Sequence, residues 1–489
     1  MMKVLFIYTT QDAQSESKPL QRQEDIPFGI SYISSYLKKN GHATDLLILT
    51  RSSNHAVINN AIERFVPQLI CFTAVASEYA FVAGVAKYIK NAYPDIFLLI
   101  GGTHVTIYPE EALKDMKENY FDALCIGEGE IPTLELVRQL SEKKQPSHIL
   151  NLWIKKDENI EKNPTRPFLE DLDSLPFPDR EMWQRSVHFP DTNGHILLGR
   201  GCPYLCSYCC NHALRKASPG KYVRLRSPEN IVKEIEDVVR RYPGTRSFHM
   251  EIETFGVSVP WALHLCSVLE ACNKRMPKPL TFEVNFRIVP KVKEEELDTL
   301  FSAMARCNIR RINVGLESGS EKIRREILKR EESNEDILRA VQSAKKHGLK
   351  VNFYVMIGII GETFNDFQET ISFCRLSQPD VVELQVFFPY PGCDLYSLAK
   401  EKGLIRSELD TEMERYKATL DLQGFSKKQI QRQSILFEYY VYRGRKPLYK
   451  VLLHVAARYF RTSYSLNKFY RKLTSIPLFY RWKEYLLKS

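Results

Sequence analysis

The sequence lacks any uninterrupted apolar stretch of the roughly 20 residues that a membrane-spanning helix requires. Its first residues carry no secretory signal, and its eleven cysteines are scattered without the regular spacing of a disulfide framework. These absences argue against a membrane-spanning or secreted protein, so we expect a cytoplasmic one. The 489 residues, 44% of them hydrophobic, are ample for buried cores, and such a length suggests about three domains.

Apolar runs alternate with amphipathic stretches between Lys3 and about Leu140. The runs are Val4–Ile7, Leu46–Leu49, Leu69–Phe72, Ile96–Ile100 and Ala123–Ile126. Continuous apolar strands separated by helices are typical of a parallel sheet covered on both faces, so this region is predicted to be a doubly wound α/β domain. Ligands of such domains bind at the carboxyl ends of the strands.

Glycines stand directly after the fourth and fifth predicted strands, at Gly101 and Gly102 and at Gly127 and Gly129. Because glycine has no Cβ, a bulky ligand can approach these loops closely, which makes them candidate contacts for a large cofactor. The alternative is that they are only tight turns between a strand and a helix. His104, after the first pair, is expected to be a loop residue rather than a metal ligand.

Three cysteines follow the apolar run Ile196–Leu198 at short spacing: Cys202, Cys206 and Cys209. Three thiolates on one loop are suited to a four-iron cluster and leave one iron open to a substrate or cofactor. Structural zinc usually takes paired C-x2-C units, and the nearest extra donors are Cys210 and His212. We therefore expect an iron–sulfur cluster bound by these three cysteines. Cys210 is expected to lie outside it, because its neighbour Cys209 already completes the spacing of the three ligands.

Strand and helix patterns alternate for about six more units after the cysteine loop. Six units are too few for a closed eight-stranded barrel, so the sequence predicts an open, partial (β/α)6 barrel with its site at the carboxyl ends of the strands. Polar residues stand at those ends: Glu251, Glu253, Thr254, Asn285, Arg287, Glu317, Ser318 and the loop Gly358–Glu362. A carboxylate such as Glu317 can accept hydrogen bonds from ribose hydroxyls, although each of these residues can instead belong to a structural ion pair.

The cysteine loop, with Tyr208 before its third cysteine, resembles that of radical S-adenosylmethionine (SAM) enzymes, and the glycine loops resemble the cobalamin-binding domain that precedes many of them. The loop after the first strand, Thr10–Ser17, departs from other cobalamin proteins because it has no cobalt-ligating histidine. The resemblance implies a 4Fe–4S cluster, SAM and cobalamin as cofactors. It implies SAM contacts at Tyr208, Glu253, Arg287, Glu317, Ser318 and Ile360. It implies cobalamin contacts at Thr73, Gly101, Gly102, His104, Gly127, Glu128 and Gly129.

We expect a cobalamin-binding domain over residues 1–145, a proline-rich linker over 146–192, the radical SAM barrel over 193–403 and a helical basic region over 404–489. The resemblance implies one-electron cleavage of SAM to a 5′-deoxyadenosyl radical, with methylation of an unactivated carbon in a small or lipid-like metabolite. Radical cyclisation or rearrangement and a non-catalytic iron–sulfur binding protein are the alternatives. A flavodoxin or ferredoxin is the expected reductant. No catalytic acid or base is predicted.

The C-terminal region concentrates the positive charge of the chain. From Arg443 to Ser489 there are twelve Lys or Arg and one acid, Glu484, which gives +11 against +10 for the whole chain. Apolar residues recur at helical spacing at Leu448, Leu452, Val455 and Tyr459 and again at Leu466, Phe469, Tyr470 and Leu473. A membrane-surface element and a helix packed on the barrel are equally compatible with this pattern. Nucleic acid is disfavoured, because nothing here resembles the RNA-binding domain of the methylthiolating relatives.

Overall fold

The computed structural model describes residues 1–10, 18–22, 26–157, 159–189, 193–405, 409, 411, 414–463, 465–467 and 469–470. The predicted loop at 11–17 and the end of the basic region, including Leu473, lie outside them. The chain divides into two compact units, and the division falls within the cysteine loop, after Tyr204. No helix in the described part of the chain is both long enough and apolar enough to cross a membrane.

The first unit is built on a seven-stranded sheet in the order β3-β1-β4-β5-β6-β7-β8. Its strands are β1 (Lys3–Thr10), β3 (Ala43–Thr50), β4 (Leu69–Thr73), β5 (Phe97–Gly101), β6 (Ala123–Cys125), β7 (Leu152–Lys156) and β8 (Asn159–Lys162). The first five are parallel, whereas β7 and β8 add to the edge antiparallel. The hairpin β7–β8 lies in the stretch that the sequence assigned to an extended linker.

Helices of the first unit are α1 (Phe28–Lys39), α2 (His55–Phe65), α3 (Tyr79–Ala92), α4 (Thr103–Ile107), α5 (Pro109–Lys117), α6 (Glu130–Ser141) and α7 (Asn211–Lys216). Short strands complete it: β2 (Leu20–Arg22) pairs with β9 (Val187–Phe189), β11 (Gly199–Arg200) pairs with β12 (Arg224–Leu225), and β10 (Asn193–Leu197) precedes β11. Helix α8 (Pro228–Arg241) has residues in both units.

Strand β1 shows why the sequence folds this way. Leu5 and Ile7 enter one hydrophobic core, Val4 and Phe6 enter a second, and all four are 0–1% exposed. Because successive side chains of a strand point to opposite faces, an unbroken apolar run requires cover on both sides. The doubly wound α/β prediction for this region is therefore confirmed.

The second unit contains five parallel strands in the order β13-β14-β15-β16-β17. They are β13 (Ser247–Glu251), β14 (Thr281–Phe286), β15 (Ile309–Glu317), β16 (Lys350–Ile357) and β17 (Val381–Val386). Helices α9 (Val259–Arg275), α10 (Glu294–Arg306), α11 (Asn334–Lys346), α12 (Phe364–Ser377) and α13 (Asp394–Glu401) follow the strands in turn. Ser333 caps α11 with a reciprocal capping box to Asp336.

Two further helices, α14 (Lys427–Tyr442) and α15 (Leu448–Phe460), belong to the C-terminal region. The apolar face that the sequence predicts on α15 is exposed at Leu448, Leu452 and Tyr459, whereas Val451 is buried. Between β15 and α11 the chain forms one π-helical turn, Ile323–Ile327.

Candidate active site at the cysteine loop

The cysteine loop is anchored to the second unit through its middle residues. The Ser207 amide donates to the Leu328 carbonyl at 3.3 Å, and its hydroxyl donates to the Ile327 carbonyl at 2.5 Å. The Cys209 amide donates to the Cys206 carbonyl at 3.1 Å, which closes a turn between these two predicted cluster ligands. The π-helical turn therefore holds the loop at a fixed place on the unit.

All eleven cysteines lie in the described part of the chain, and no disulfide joins any two of them. Cys206 is buried, and Cys202 and Cys209 are half-buried. The Arg287 guanidinium donates from Nη1 to the Cys206 sulfur at 2.8 Å. The Arg287 side chain therefore holds the sulfur of this predicted cluster ligand in place.

Two glycines shape the chain immediately before Cys202. A Cβ on Gly199 would lie 2.5 Å from the Arg224 carbonyl oxygen, and one on Gly201 would lie 2.3 Å from that of Tyr222. Gly201 also has a φ of +91°, which side chains disfavour. The pairing of β11 with β12 thus requires glycine on both sides of Arg200.

Tyr208 connects the cysteine loop to the end of β15. Its hydroxyl donates to Glu317 Oε1 at 2.9 Å and accepts from Arg330 Nη1 at 3.1 Å. Arg330 also donates to the Gly315 carbonyl at 2.6 Å and pairs with the buried Glu332 at 2.6 Å. Burial raises the pKa of Glu317, and the charge of Arg330 opposes that rise.

Glu317 itself has an unusual backbone. Its φ is +62°, in the left-handed region, and the register of β15 with β16 shifts between Gly315 and Glu317. A Cβ on Gly315 would lie 2.4 Å from Glu317 Oε1, so glycine makes room for this carboxylate. Non-glycine residues held in this conformation cluster at functional sites.

The other predicted SAM contacts are placed differently. Glu253 is exposed just beyond β13, whereas Ser318 is fully buried and its hydroxyl lies 3.3 Å from that of Thr370. Ile360 is buried in the loop after β16. In the same loop Glu362 Oε2 accepts from the Gly358 amide at 2.6 Å, and burial, partly offset by such hydrogen bonds, raises the pKa of this carboxyl to about 8.

The predicted cobalamin contacts of the first unit follow β4, β5 and β6. Thr73 ends β4 opposite Gly101. Gly102 has a φ of +101°, and a Cβ at this position would lie only 2.6 Å from the Thr73 hydroxyl oxygen. His104 is buried, with Nε2 at 3.0 Å from Glu111 Oε2 and its ring against Tyr79. Its Nδ1 has no hydrogen-bond partner among the described residues.

The loop after β6 is held by packing and hydrogen bonds to other parts of the first unit. Gly127 packs near Asn151 and Ser218, and Gly129 packs against Ile33. Glu128 accepts from Arg200 and Arg224, each at 2.9 Å, and from the Leu169 amide at 3.1 Å. The two arginines hold the pKa of Glu128 below its usual range against the effect of burial. Its carboxylate thus links the loop after β6 to β11, to β12 and to the segment at Leu169.

Comparisons with known proteins agree with this architecture. The model of the radical SAM superfamily matches residues 196–374, and that of the B12 binding domain matches residues 23–137. The chain is a radical SAM enzyme with a cobalamin-binding domain. The expected cofactors of this radical SAM enzyme, a 4Fe–4S cluster, SAM and cobalamin, are confirmed by the two domains.

Similar proteins span most of the chain. An uncharacterized methyltransferase of Pyrococcus horikoshii is 25% identical over 83% of this chain and 84% of its own. The anaerobic magnesium-protoporphyrin IX monomethyl ester cyclase of Rubrivivax gelatinosus is 23% identical, and the match covers 77% of this chain and 66% of the cyclase. The structure of the cobalamin-dependent SAM radical enzyme OxsB, with aqua-cobalamin and SAM bound, has a TM-score of 0.70 at 15% identity and covers 100% of this chain and 75% of that one. The partial barrel predicted for this radical SAM enzyme is thereby confirmed.

The residues of this radical SAM enzyme fit its cofactors. Cys206 and Cys209 lie on one turn, and the sulfur of Cys206 accepts a hydrogen bond from the guanidinium of Arg287. On the cobalamin side, the buried Nδ1 of His104 offers a polar atom that no described residue uses. Sequence reasoning missed Arg330, Glu332, Arg200 and Arg224. Arg330, Arg200 and Arg224 have partners far away in the sequence, and Glu332 pairs with its near neighbour Arg330 and with the distant Arg287.

Proposed function

We propose that this enzyme methylates an unactivated carbon of a small-molecule substrate and that Cys202, Cys206 and Cys209 hold its cluster. Bound together, the cluster, SAM and cobalamin supply one-electron cleavage of a sulfonium and a transferable methyl group. The observation that carries the proposal is the hydrogen bond of 2.9 Å between Tyr208 and Glu317. It brings the cysteine loop to a strand-end carboxylate that can accept hydrogen bonds from ribose.

For SAM, we assign ribose binding to Glu317 and further contacts to Tyr208, Glu253, Arg287 and the backbone around Ser318 and Ile360. The conformation of Glu317, fixed by the shift of register and by Arg330, orients its carboxylate before any ligand arrives. A side chain that is already oriented loses little conformational entropy when it binds. We assign residues 1–145 to the cobalamin-binding domain, 146–192 to the linker, 193–403 to the radical SAM barrel and 404–489 to the helical basic region.

For cobalamin, we assign the strand-end loops of the first unit, with Thr73, Gly101, Gly102, His104, Gly127 and Gly129. Ligands of doubly wound sheets bind at the carboxyl ends of strands, which is where β4, β5 and β6 place these residues. We assign Glu128 with them, and its carboxylate also forms ion pairs with Arg200 and Arg224.

Radical cyclisation is the second candidate, because the cyclase of Rubrivivax gelatinosus matches 77% of this chain. Product analysis separates the two. After anaerobic reconstitution with iron, sulfide and cobalamin, and reduction by dithionite or by a flavodoxin or ferredoxin, we expect both S-adenosylhomocysteine and 5′-deoxyadenosine by mass spectrometry. The nucleoside alone would favour cyclisation or rearrangement. A loaded cluster with no SAM cleavage would indicate a non-catalytic binding protein.

We also propose that the C-terminal region contacts anionic membrane surfaces. On α15 and beyond it, Leu448, Tyr449, Leu452 and Phe469 are each more than half exposed, and the region carries the +11 charge. Exposed apolar residues among basic ones are typical of interfacial helices. We expect co-sedimentation with vesicles containing phosphatidylserine and loss of it when Leu448 and Leu452 are both changed to Ser. Equal binding to purely zwitterionic vesicles would contradict the proposal.

A further inference from the structure

Arg287 stands at the carboxyl end of β14 and reaches the cysteine loop. It directly follows the last residue of that strand, and its amide donates to the Thr254 hydroxyl at 3.1 Å. Its guanidinium donates from Nη1 to the Cys206 sulfur at 2.8 Å. Arg287, Thr254 and Cys206 all belong to the second unit, so the contact lies within that unit.

A simpler explanation of this arginine would be an ion pair with the buried Glu332. Nη2 of Arg287 lies 3.5 Å from Glu332 Oε2, which has no hydrogen-bond partner among the described residues. The other oxygen, Oε1, lies 2.6 Å from both Nε and Nη2 of Arg330. Glu332 is therefore already paired with Arg330, and the Arg287 guanidinium lies closer to the sulfur than to the carboxylate.

The contact between the guanidinium and the sulfur is shielded from water. The side chain of Arg287 is 11% exposed, that of Glu332 is 1% exposed, and Cys206 is 7% exposed. Charges interact more strongly in such surroundings than in bulk water, because fewer solvent dipoles screen them. A cationic donor at this sulfur therefore has a large influence on the charge that the sulfur and its bound metal carry.

We propose that Arg287 raises the reduction potential of the cluster through its hydrogen bond to the Cys206 sulfur. This inference rests on the proposed function, because it takes Cys206 as a cluster ligand. Reduction transfers one electron from a flavodoxin, a ferredoxin or dithionite to a cluster whose thiolate ligands are already anionic. A cation and an N–H donor at one of those sulfurs stabilise the added negative charge, and hydrogen bonds to the sulfurs are among the determinants of such potentials.

Arg287 acts through Cys206, so it is a positioning residue for the reaction and not a catalytic one. The added electron is shared among the irons and sulfides of the cluster, and only part of its charge lies near Cys206. We therefore expect a moderate effect, about tenfold in the ratio of reduced to oxidised cluster at a fixed solution potential. For a one-electron couple a tenfold change in this ratio equals about 59 mV. Without Arg287 the cluster should need a stronger reductant.

The test is a redox titration of the anaerobically reconstituted protein, in which electron paramagnetic resonance measures the reduced cluster. SAM is left out, so that a contact between Arg287 and SAM does not enter the measurement. Arg287→Met removes the cation and its donors, and the ratio of reduced to oxidised cluster at a fixed potential should fall by about tenfold. Glu332 keeps both contacts to Arg330 in this variant, so it should stay folded, which circular dichroism verifies.

Arg311→Met is the matched control, because it removes the same charge from the same sheet. Arg311 is aligned with Glu283, four residues before Arg287 on β14, which places it roughly 13 Å away along the strand direction. Its ion-pair partner is Glu283, and its side chain is 35% exposed. Solvent and salt screen a half-exposed charge at such a distance, so we expect a change of less than about twofold in the same ratio.

An unchanged potential in Arg287→Met with its cluster present would overturn the inference. An equal shift in Arg311→Met would overturn it too, because the total charge would then set the potential and not the contact with sulfur.

If Arg287→Met takes up no iron, Arg287→Lys decides the question. It keeps the cation but not the planar fork of the guanidinium, so the ratio should fall by about threefold. A potential equal to that of the wild type or above it would contradict the inference.

The iron content and the SAM cleavage of the wild-type protein are measured separately. A wild-type preparation without a cluster would contradict the proposed function. A loaded wild-type cluster with an unchanged potential in the variants would overturn this inference alone.

Discussion

Cys209→Ala protein is expected to form 5′-deoxyadenosine more slowly than the wild type by a factor on the order of 10³ or more, because a three-thiolate cluster has no spare ligand and its cofactors carry the chemistry. The backbone of Cys209 closes a turn onto Cys206, and that turn does not need the thiol. Alanine therefore removes the sulfur and leaves the loop folded. The measurements are iron and sulfide content after anaerobic reconstitution and the rate of nucleoside formation.

Cys210→Ala is the matched control. Cys210 is the residue before α7, and its carbonyl accepts from the Ala213 and Leu214 amides, so its backbone is committed to starting a helix. We expect this variant to keep its iron and its activity. Undiminished cleavage by Cys209→Ala, or equal losses in the two variants, would show that Cys209 is not a cluster ligand.

The second large effect is expected from Arg330→Met, which should lower the free energy of unfolding by about 3–5 kcal/mol, the usual cost of removing one partner from a buried ion pair. Arg330 is 5% exposed and Glu332 is 1% exposed, so the variant leaves a buried carboxylate whose remaining ion-pair partner among the described residues is Arg287. It also removes the donors to Tyr208 and to the Gly315 carbonyl. Urea unfolding of the anaerobically purified protein, followed by circular dichroism, measures this change.

Arg325→Met tests the same substitution on the surface one turn earlier. Arg325 is half exposed and pairs with Glu321 four residues away at 3.1 Å. Such exposed pairs contribute about 0.5 kcal/mol or less, so this variant should unfold almost as the wild type does. If Arg330→Met is equally stable, the network around Glu317 does not hold the site together.

The central strands of both sheets were predictable because burial leaves a direct trace in the sequence. Val4–Ile7 is apolar without interruption, and a strand buried on two sides allows nothing else. The hairpin β7–β8 was missed because Lys155, Lys156, Glu161 and Lys162 give an edge hairpin the polarity of a linker. Edge strands bury little, so hydrophobic pattern alone does not reveal them.

Site residues were predictable where the chemistry of a cofactor requires a fixed spacing along the chain. They were not predictable where their role depends on an ion pair with a residue far away in the sequence. The three cysteines stand close together because one cluster needs them on one loop. In contrast, Glu128 meets Arg200 and Arg224 across 72 and 96 residues, and no local pattern marks such a pair. An alternation of polar and apolar residues was visible in principle along β14 and β15, where Glu283, Asn285, Arg311 and Asn313 stand at every second position.

The widened turn at Ile323–Ile327 restricts how this chain can change in length. One residue more than an α-helical turn is accommodated there, and Ile327 and the following Leu328 supply the carbonyls that receive Ser207. Deleting one residue would restore ordinary helical winding and rotate the following residues by about 100°. Both acceptors would then face away from the cysteine loop. Insertions and deletions in this short segment should therefore be as poorly tolerated as changes in the spacing of the cysteines themselves.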